Sequence, residues 1–325
     1  MGNSYFCKKL ETTLHFLPNG IKYCCSNVEG PGVEITDFTK IDKTQIMAEK
    51  NKCIEMLNNG EIPEKCKGCV EYKEKSFMDK VKEKFTQTNS NLISYIIIDH
   101  FKQCDCSCIY CSQKKLYSDS TQKYEVLPII QQLFDANMID AKNLRVEFQG
   151  GNISVLNEFD NIIGYLKSKQ CNKYSILTNM IKYLPTFKML DGQSIICVSL
   201  DCGSKEVFKK IKNVDAFDEV VNNLKQIRKD TTVVMQTKYI VVKDVNDNKE
   251  ELEKFLNIAK DIDPNNTIIL EIDYNDTFMT PGKRFDVPKH YAELFEFAEK
   301  YCNENNLHYY VAPYTKDVIN KGYSE

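Results

Sequence analysis

The 325-residue chain has no apolar run near the roughly 18 residues that a membrane span requires. Its formal net charge of -3 supplies no basic field for nucleic acid. No secretory signal opens it, and Met1-Gly-Asn-Ser-Tyr-Phe6 lacks the Ser or Thr expected of a myristoylation signal. Internal repeats and low-complexity segments are also missing. These absences argue against membrane and nucleic-acid partners, and a cytoplasmic location is expected. In that reducing setting the 14 cysteines are expected to bind metal rather than pair as disulfides, because a chain of this length can build a core without covalent staples.

What is present is a cysteine loop. Cys-x3-Cys-x2-Cys spacing occurs in His100-Phe-Lys-Gln-Cys104-Asp-Cys-Ser-Cys108-Ile-Tyr110-Cys111, just past the apolar run Leu92 to Ile98. A [4Fe-4S] cube normally takes one thiolate per iron. Thiolates from Cys104, Cys108 and Cys111 would therefore leave one iron open to chelate a small molecule. Zinc is the alternative, since short cysteine loops also bind it and a Cys-x2-Cys pair elsewhere can complete a tetrahedral set. Cys106 lies off the spacing, and no ligand role is expected of it. Asp99 and His100 close the preceding strand, where a polar residue is ordinarily just solvated.

Downstream, β-branched runs alternate with amphipathic stretches. The runs are Leu92 to Ile98, Leu144 to Phe148, Tyr174 to Leu177, Ile195 to Leu200, Thr232 to Val242 and Thr267 to Ile272. Between and after them, Val126 to Phe134, Phe159 to Leu166, Phe217 to Ile227, Glu250 to Ala259 and Tyr291 to Tyr301 repeat apolar residues three and four apart. Such alternation implies βαβ units about a parallel sheet. Six units are too few for a closed eight-fold barrel, so an open, partial (βα)6 barrel is expected, with its reactive groups at the carboxyl ends of the strands.

The cysteine loop, with Tyr110 just before its third cysteine, resembles that of the radical S-adenosylmethionine (SAM) superfamily, whose fold is such a partial barrel. The likeness continues at later strand ends. Gly150-Gly151-Asn152 resembles the Gly-Gly-Glu motif, with Asn152 in place of the acid. Leu177-Thr178-Asn179 stands where the family often has Thr-Asn-Gly, and Ser199-Leu-Asp201-Cys202-Gly203 resembles Ser-x-Asp-x-Gly. The resemblance implies that SAM binds the open iron by its amino and carboxylate groups, and that reduction yields a 5'-deoxyadenosyl radical while the protein orients and shields. It also implies a set of contacts: Tyr110 against the adenine, Gly150, Gly151 and Asn152 at the methionyl end, Thr178 and Asn179 beside the cofactor, and Ser199 on the ribose. Asp201 is expected on the substrate side. Cys202 is the candidate hydrogen donor, its alternative being a small residue in a turn.

The first 86 residues hold a second cysteine set. A turn at Pro18-Asn19-Gly20 between apolar runs predicts a hairpin that brings Cys7 and the Cys24-Cys25 pair to one end. Pro63-Glu-Lys-Cys66-Lys-Gly68-Cys69 adds a Cys-x2-Cys turn. The frame Cys7-x12-Gly20-x4-Cys25 resembles the start of a SPASM or twitch extension, which implies an auxiliary [4Fe-4S] cluster on Cys7, Cys25, Cys66 and Cys69. Cys24 competes with Cys25, and a structural zinc knuckle is the alternative. Cys53 lies in a predicted helix, Thr44 to Leu57, and the Lys/Glu-rich stretch Glu71 to Lys84 reads as a helix leading into a linker.

The expected architecture is thus α/β: a cysteine-rich module over 1–86, a partial radical SAM barrel over 87–313 and a tail over 314–325. Its expected activity is reductive SAM cleavage, then hydrogen abstraction from a peptide or carbohydrate, ending in oxidation, cross-linking or epimerisation. Flavodoxin or ferredoxin is the expected reductant. Two other classes stay open: a non-catalytic iron-sulfur redox protein, and a zinc-stabilised binding module on a degenerate barrel.

Overall fold

A computed structural model describes residues 4–24, 30–35, 37, 42–69, 71–76, 92–111, 122–273, 288–313, 315, 316 and 319. Two compact units divide the chain. One comprises Met1–Lys102, Ser120–Gly151 and Asn157–Lys173, the other Gln103–Asp119, Asn152–Leu156 and Tyr174–Glu325. The units therefore do not follow the expected boundary at residue 87.

The first unit shows why. Strand β2 (Thr13–Leu17) pairs in parallel with β6 (Tyr95–Ile98), which pairs in parallel with β7 (Arg145–Phe148). The amino-terminal segment thus shares a sheet with the first strand of the βα series. A two-residue turn at Pro18-Asn19 joins β2 to the antiparallel β3 (Gly20–Lys22), as the turn chemistry predicts, and β4 (Gly32–Glu34) follows. The triple isoleucine of β6 is buried throughout, the pattern of a parallel strand covered on both faces. Helix α1 (Lys8–Thr12) precedes β2, and α2 (Lys43–Asn58) covers the predicted Thr44 to Leu57. Helices α3 (Leu127–Asp135) and α4 (Phe159–Ser168) follow β6 and β7 in sequence. The stretch after Glu71 begins as a strand rather than a helix: β5 (Lys73–Glu74) pairs antiparallel with β1 (Tyr5–Phe6), because its backbone meets an unpaired edge. The remainder of that stretch lies outside the described residues.

In the second unit, β8 (Lys173–Thr178), β9 (Ile195–Ser199), β10 (Val234–Val241), β11 (Thr267–Ile272) and β12 (His308–Val311) pair successively, all parallel. Helices α5 (Lys205–Lys212), α6 (Phe217–Asp230), α7 (Lys249–Ile262) and α8 (His290–Glu304) alternate with them. Apolar spacing explains the docking: Phe217, Val220, Leu224 and Ile227 form the one buried stripe of α6. The fold class is α/β with parallel βα units, as the alternation predicts. Helix α5 and strand β12 are additional to the elements read from sequence.

Candidate functional site

The cysteine loop belongs to the second unit, and the carboxyl ends of β8 and β9 supply its neighbours. Ser107 N and Ile109 N donate to Lys212 O and Ile211 O, each at 2.9 Å, tying the loop to the last turn of α5. Asn213 closes that helix in the left-handed conformation (φ 54°) and donates from Nδ2 to Ser107 O at 2.8 Å. The helix carbonyls that would otherwise lack partners thus hold the loop.

Cys104, Asp105 and Cys106 present two sulfurs and a carboxylate oxygen within 4.8 Å of one another. Cys106 is buried, Cys108 and Cys111 half-buried, and Cys104 exposed. Cys106 N donates to Cys104 Sγ at 3.4 Å, and the Cys106 thiol beside Cys104 and Cys108 splits the set by acidity. Donation from Cys106 holds Cys104 below the ordinary thiol range. The same donation, opposed by burial but aided by the Lys212 ammonium, brings Cys108 down to about 6. Cys106 itself is pushed far up and stays protonated. Both shifts favour the thiolate, the form that binds iron, at Cys104 and Cys108. The donor set fits a thiolate-bound iron-sulfur group.

Around the loop, Asn152 N donates to Gln103 O at 2.9 Å. The Asn152 side chain reaches Asp105 Oδ1 at 3.0 Å and Ser154 Oγ at 2.6 Å, and accepts from Thr178 Oγ1 at 2.9 Å and from Asn179 N at 3.3 Å. Asn179 Nδ2 donates to Asp105 Oδ1 at 2.5 Å and Cys106 Sγ at 3.2 Å. Asn152 and Asn179 therefore meet the loop, and Thr178 meets Asn152. Gly150 and Gly151 lie in the first unit. Gly150 has φ 100°, and a Cβ there would stand 2.0 Å from Asp99 Oδ1 and 2.8 Å from Phe101 O. Its glycine thus answers to a buried carboxylate packed against it. Gly151 N donates to Phe101 O at 3.0 Å. Asp99 and His100 are buried rather than solvated: Asp99 pairs with Lys102 and His15, and His100 with Glu158 at 3.0 Å.

At the end of β9, Asp201 is fully buried and left-handed (φ 62°), conformations that cost energy for a residue with a Cβ. Asn246 holds it, donating from Nδ2 to Asp201 O at 2.7 Å, while Ile240 N donates to Asp201 Oδ1 at 2.9 Å. Asp201 Oδ2 pairs with the Lys212 ammonium and accepts from the Tyr110 hydroxyl at 2.5 Å. Burial pulls Lys212 down, but Asp201 and Cys108 outweigh it and the ammonium stays above its ordinary value. Tyr110 thus directs its hydroxyl to this pair, and Asp201 is committed to Lys212. Cys202 is also fully buried, its thiol donating to Leu200 O at 3.4 Å, and burial raises its pKa well above the thiol range. Ser199 is half-buried at the strand end.

The first unit gathers the second cysteine set. Pairing of β1 with β5 brings Cys7 towards the Cys66–Cys69 turn, and Lys9 donates to Glu71 at 2.7 Å across the join. Cys7 caps α1, accepting from Leu10 N at 3.5 Å. Burial raises its thiol, and Cys24 and Cys69 add to the rise. Cys66 is pushed up to about 11 by burial and by Cys53, Cys7, Cys24 and Cys69. Cys7, Cys24, Cys66 and Cys69 thus bear on one another electrostatically, while among the described residues the donor set whose ligand atoms all lie within 4.8 Å is Cys104, Asp105 and Cys106. Cys25 lies outside the described residues.

Sequence reading did not find Asp105, Ser154 or Lys212. Asp105 had one signal, its place between two cysteines. Lys212 had none, since it ends a short lysine-rich stretch, Lys205–Lys212, that lies outside the motifs read from sequence.

No family model matches the chain. It is 30% identical over 186 residues to a protein of Brachyspira hyodysenteriae named GTPase Obg, covering 54% of this chain and 27% of that one. It is 27% identical over 175 residues to a probable GTP 3',8-cyclase of Saccharolobus islandicus, covering 52% of this chain and 54% of the cyclase. The chain thus spans about a quarter of the first relative and about half of the second. Among solved structures, Streptococcus suis SuiB bound to S-adenosylmethionine superposes with TM-score 0.53 at 14% identity, over 84% of this chain and 67% of SuiB. SuiB bound to its precursor peptide SuiA gives 0.51 at 13% identity, over 95% and 72%.

Proposed function

We propose that this chain is a radical SAM enzyme that cleaves SAM reductively and directs the 5'-deoxyadenosyl radical at a C–H bond of a peptide, a reading supported by its cyclase relatives and by its fold likeness to SuiB. Cys104, Cys108 and Cys111 would hold a [4Fe-4S] cluster with one open iron, the source of the electron that cleavage consumes. The observation that carries this reading is the convergence of the cysteine loop with Asn152, Thr178, Asn179 and Asp201 at the carboxyl ends of parallel strands. Cys106 donates to its neighbours, and Lys212 keeps positive charge beside Cys108. Ser199 is left for the ribose, and the ring of Tyr110, under the Lys212 ammonium at 5.1 Å, for the edge of the adenine site.

The second cluster would sit on Cys7, Cys66, Cys69 and, in place of the expected Cys25, Cys24, whose thiol bears electrostatically on those of Cys7 and Cys66. An electron returned to it from a substrate radical makes oxidation or cross-linking the favoured outcome, and the burial of Cys202 disfavours epimerisation through that thiol. Flavodoxin or ferredoxin would supply the reducing electron. The peptide reading is supported by the likeness to peptide-bound SuiB along nearly the whole chain. A nucleotide substrate is the second reading, favoured by the cyclase relatives.

The chain, reconstituted anaerobically and reduced with dithionite, should hold about eight irons, two cubes' worth, and release 5'-deoxyadenosine from SAM. The Cys104→Ala/Cys108→Ala/Cys111→Ala variant should release none and keep about four irons. A loaded parent that leaves SAM intact overturns the proposal. Adding GTP in place of peptide, and looking for its consumption, separates the two substrate readings.

A further inference from the structure

The side chain of Asn152 has no capacity left for a ligand. An asparagine amide has two donors and two acceptor lone pairs. Its nitrogen spends both donors, on Asp105 Oδ1 at 3.0 Å and Ser154 Oγ at 2.6 Å. Its oxygen accepts from Thr178 Oγ1 and from Asn179 N. The backbone N–H of Asn179 can only donate, so the amide cannot be turned the other way round. The residue that stands where the resemblance places an acid is therefore neutral and fully occupied.

A carboxylate nevertheless stands beside it. Asp105 enters from within the cysteine loop, half-buried and close to Cys104 and Cys106. Donors hold it: Asn152 and Asn179 on Oδ1, and Ser154 on Oδ2 at 3.0 Å. A carboxylate has about four lone-pair sites, and Oδ2 is left with one for an incoming cation. Resting on the radical SAM reading above, we infer that Asp105 accepts the ammonium of SAM, and that Asn152 positions Asp105 instead of meeting the cofactor. The negative charge has moved from the glycine motif to the cysteine loop, and Asn152 has become the amide that clamps it. Asn152 suits this work better than an acid, because a carboxylate there would have no N–H for Asp105 and would repel it.

The test is a SAM titration of the anaerobically reconstituted chain, followed by the change in the reduced cluster's electron paramagnetic resonance signal and normalised to bound iron. Asp105→Asn keeps the shape and should weaken SAM binding by about tenfold or more, the loss expected of a charge-assisted bond. Asp105→Asn/Asn152→Asp keeps the net charge but places it at a side chain that does not meet the cofactor, and should not recover that loss. Unchanged SAM affinity in loaded Asp105→Asn overturns the inference while leaving SAM binding intact, whereas a loaded parent that binds no SAM overturns the underlying reading. Should Asp105→Asn take up no iron, the exchanged variant decides: a loaded variant with SAM binding weakened by about tenfold or more upholds the inference, and SAM binding within about threefold of the parent places the contact at residue 152 and overturns it. Failure of both to load iron would assign Asp105 to building the loop and overturn the inference as well.

Discussion

Lys212 and Asp201 form an ion pair from which water is excluded, with both side chains at most 1% exposed. The pair joins the end of α5 to the end of β9, and Tyr110 of the cysteine loop closes it, its hydroxyl accepting from Lys212 Nζ at 2.7 Å. One buried charge pair thereby fixes the loop that carries the thiols.

Removing one member should leave the other uncompensated. Lys212→Met is expected to cost the cluster-free chain about 3–5 kcal/mol, read as a lowered urea midpoint. Lys212→Met/Asp201→Asn should recover more than half of that loss, since the stranded charge is gone and Asn tolerates the left-handed backbone. A Lys212→Met midpoint equal to the parent's would mean that the pair contributes nothing.

The acidity of Cys108 gives a pH signature. Its pKa is lowered from 9.0 to about 6 in the folded chain, so the unfolded chain binds more protons between those values. Stability from this group is thus full above about pH 9 and is lost as pH falls through about 6. In the cluster-free protein, iodoacetamide should alkylate Cys108 with a rate that climbs through about pH 6, and Lys212→Met should move that climb upward. Mass mapping after pulses at several pH values checks it, and a climb near 9 in the parent would contradict it.

Gly150→Ala should be strongly destabilising. The new Cβ would collide with Asp99 Oδ1 at 2.0 Å in a backbone region that side chains avoid. A loss of about 2 kcal/mol or more is expected from strain and overpacking together. Thermal denaturation measures it. A melting temperature within a degree of the parent's would show that the loop relaxes freely.

The amino-terminal thiols make a prediction about iron. Cys66→Ala and Cys24→Ala should each reduce the reconstituted content from about eight irons to about four, with SAM cleavage retained. Cys25→Ala should keep all of it. Iron and sulfide analysis decides between the neighbours, and full loading of Cys24→Ala would return the ligand role to Cys25.

The βα series was legible because its signals are local. Thr267 to Ile272 reads as a strand from its β-branched run and is one, and Phe217 to Ile227 reads as a helix from its apolar spacing and runs on to Asp230. Helix α5 was not read, since its eight residues, Lys205–Lys212, are too few to show a sustained period. The pairing of β2 with β6 escaped for another reason: a parallel partner about eighty residues away leaves no mark on either strand.

The site divides along the same line. Ligand spacing in Cys104, Cys108 and Cys111, the hairpin turn at Pro18-Asn19 and the order of glycine and polar motifs at strand ends are properties of short segments, so the sequence by itself determined them. Which polar groups remain free was decided only by tertiary structure. Asn152 reads as a weakened cofactor contact until Thr178, Asn179, Ser154 and Asp105 are seen to occupy it from four directions. Lys212 carries no signal in the sequence, and only burial against Asp201 gives it a role. The physical reason is that hydrogen-bond saturation and desolvation are sums over atoms delivered by distant segments, and no local pattern contains them.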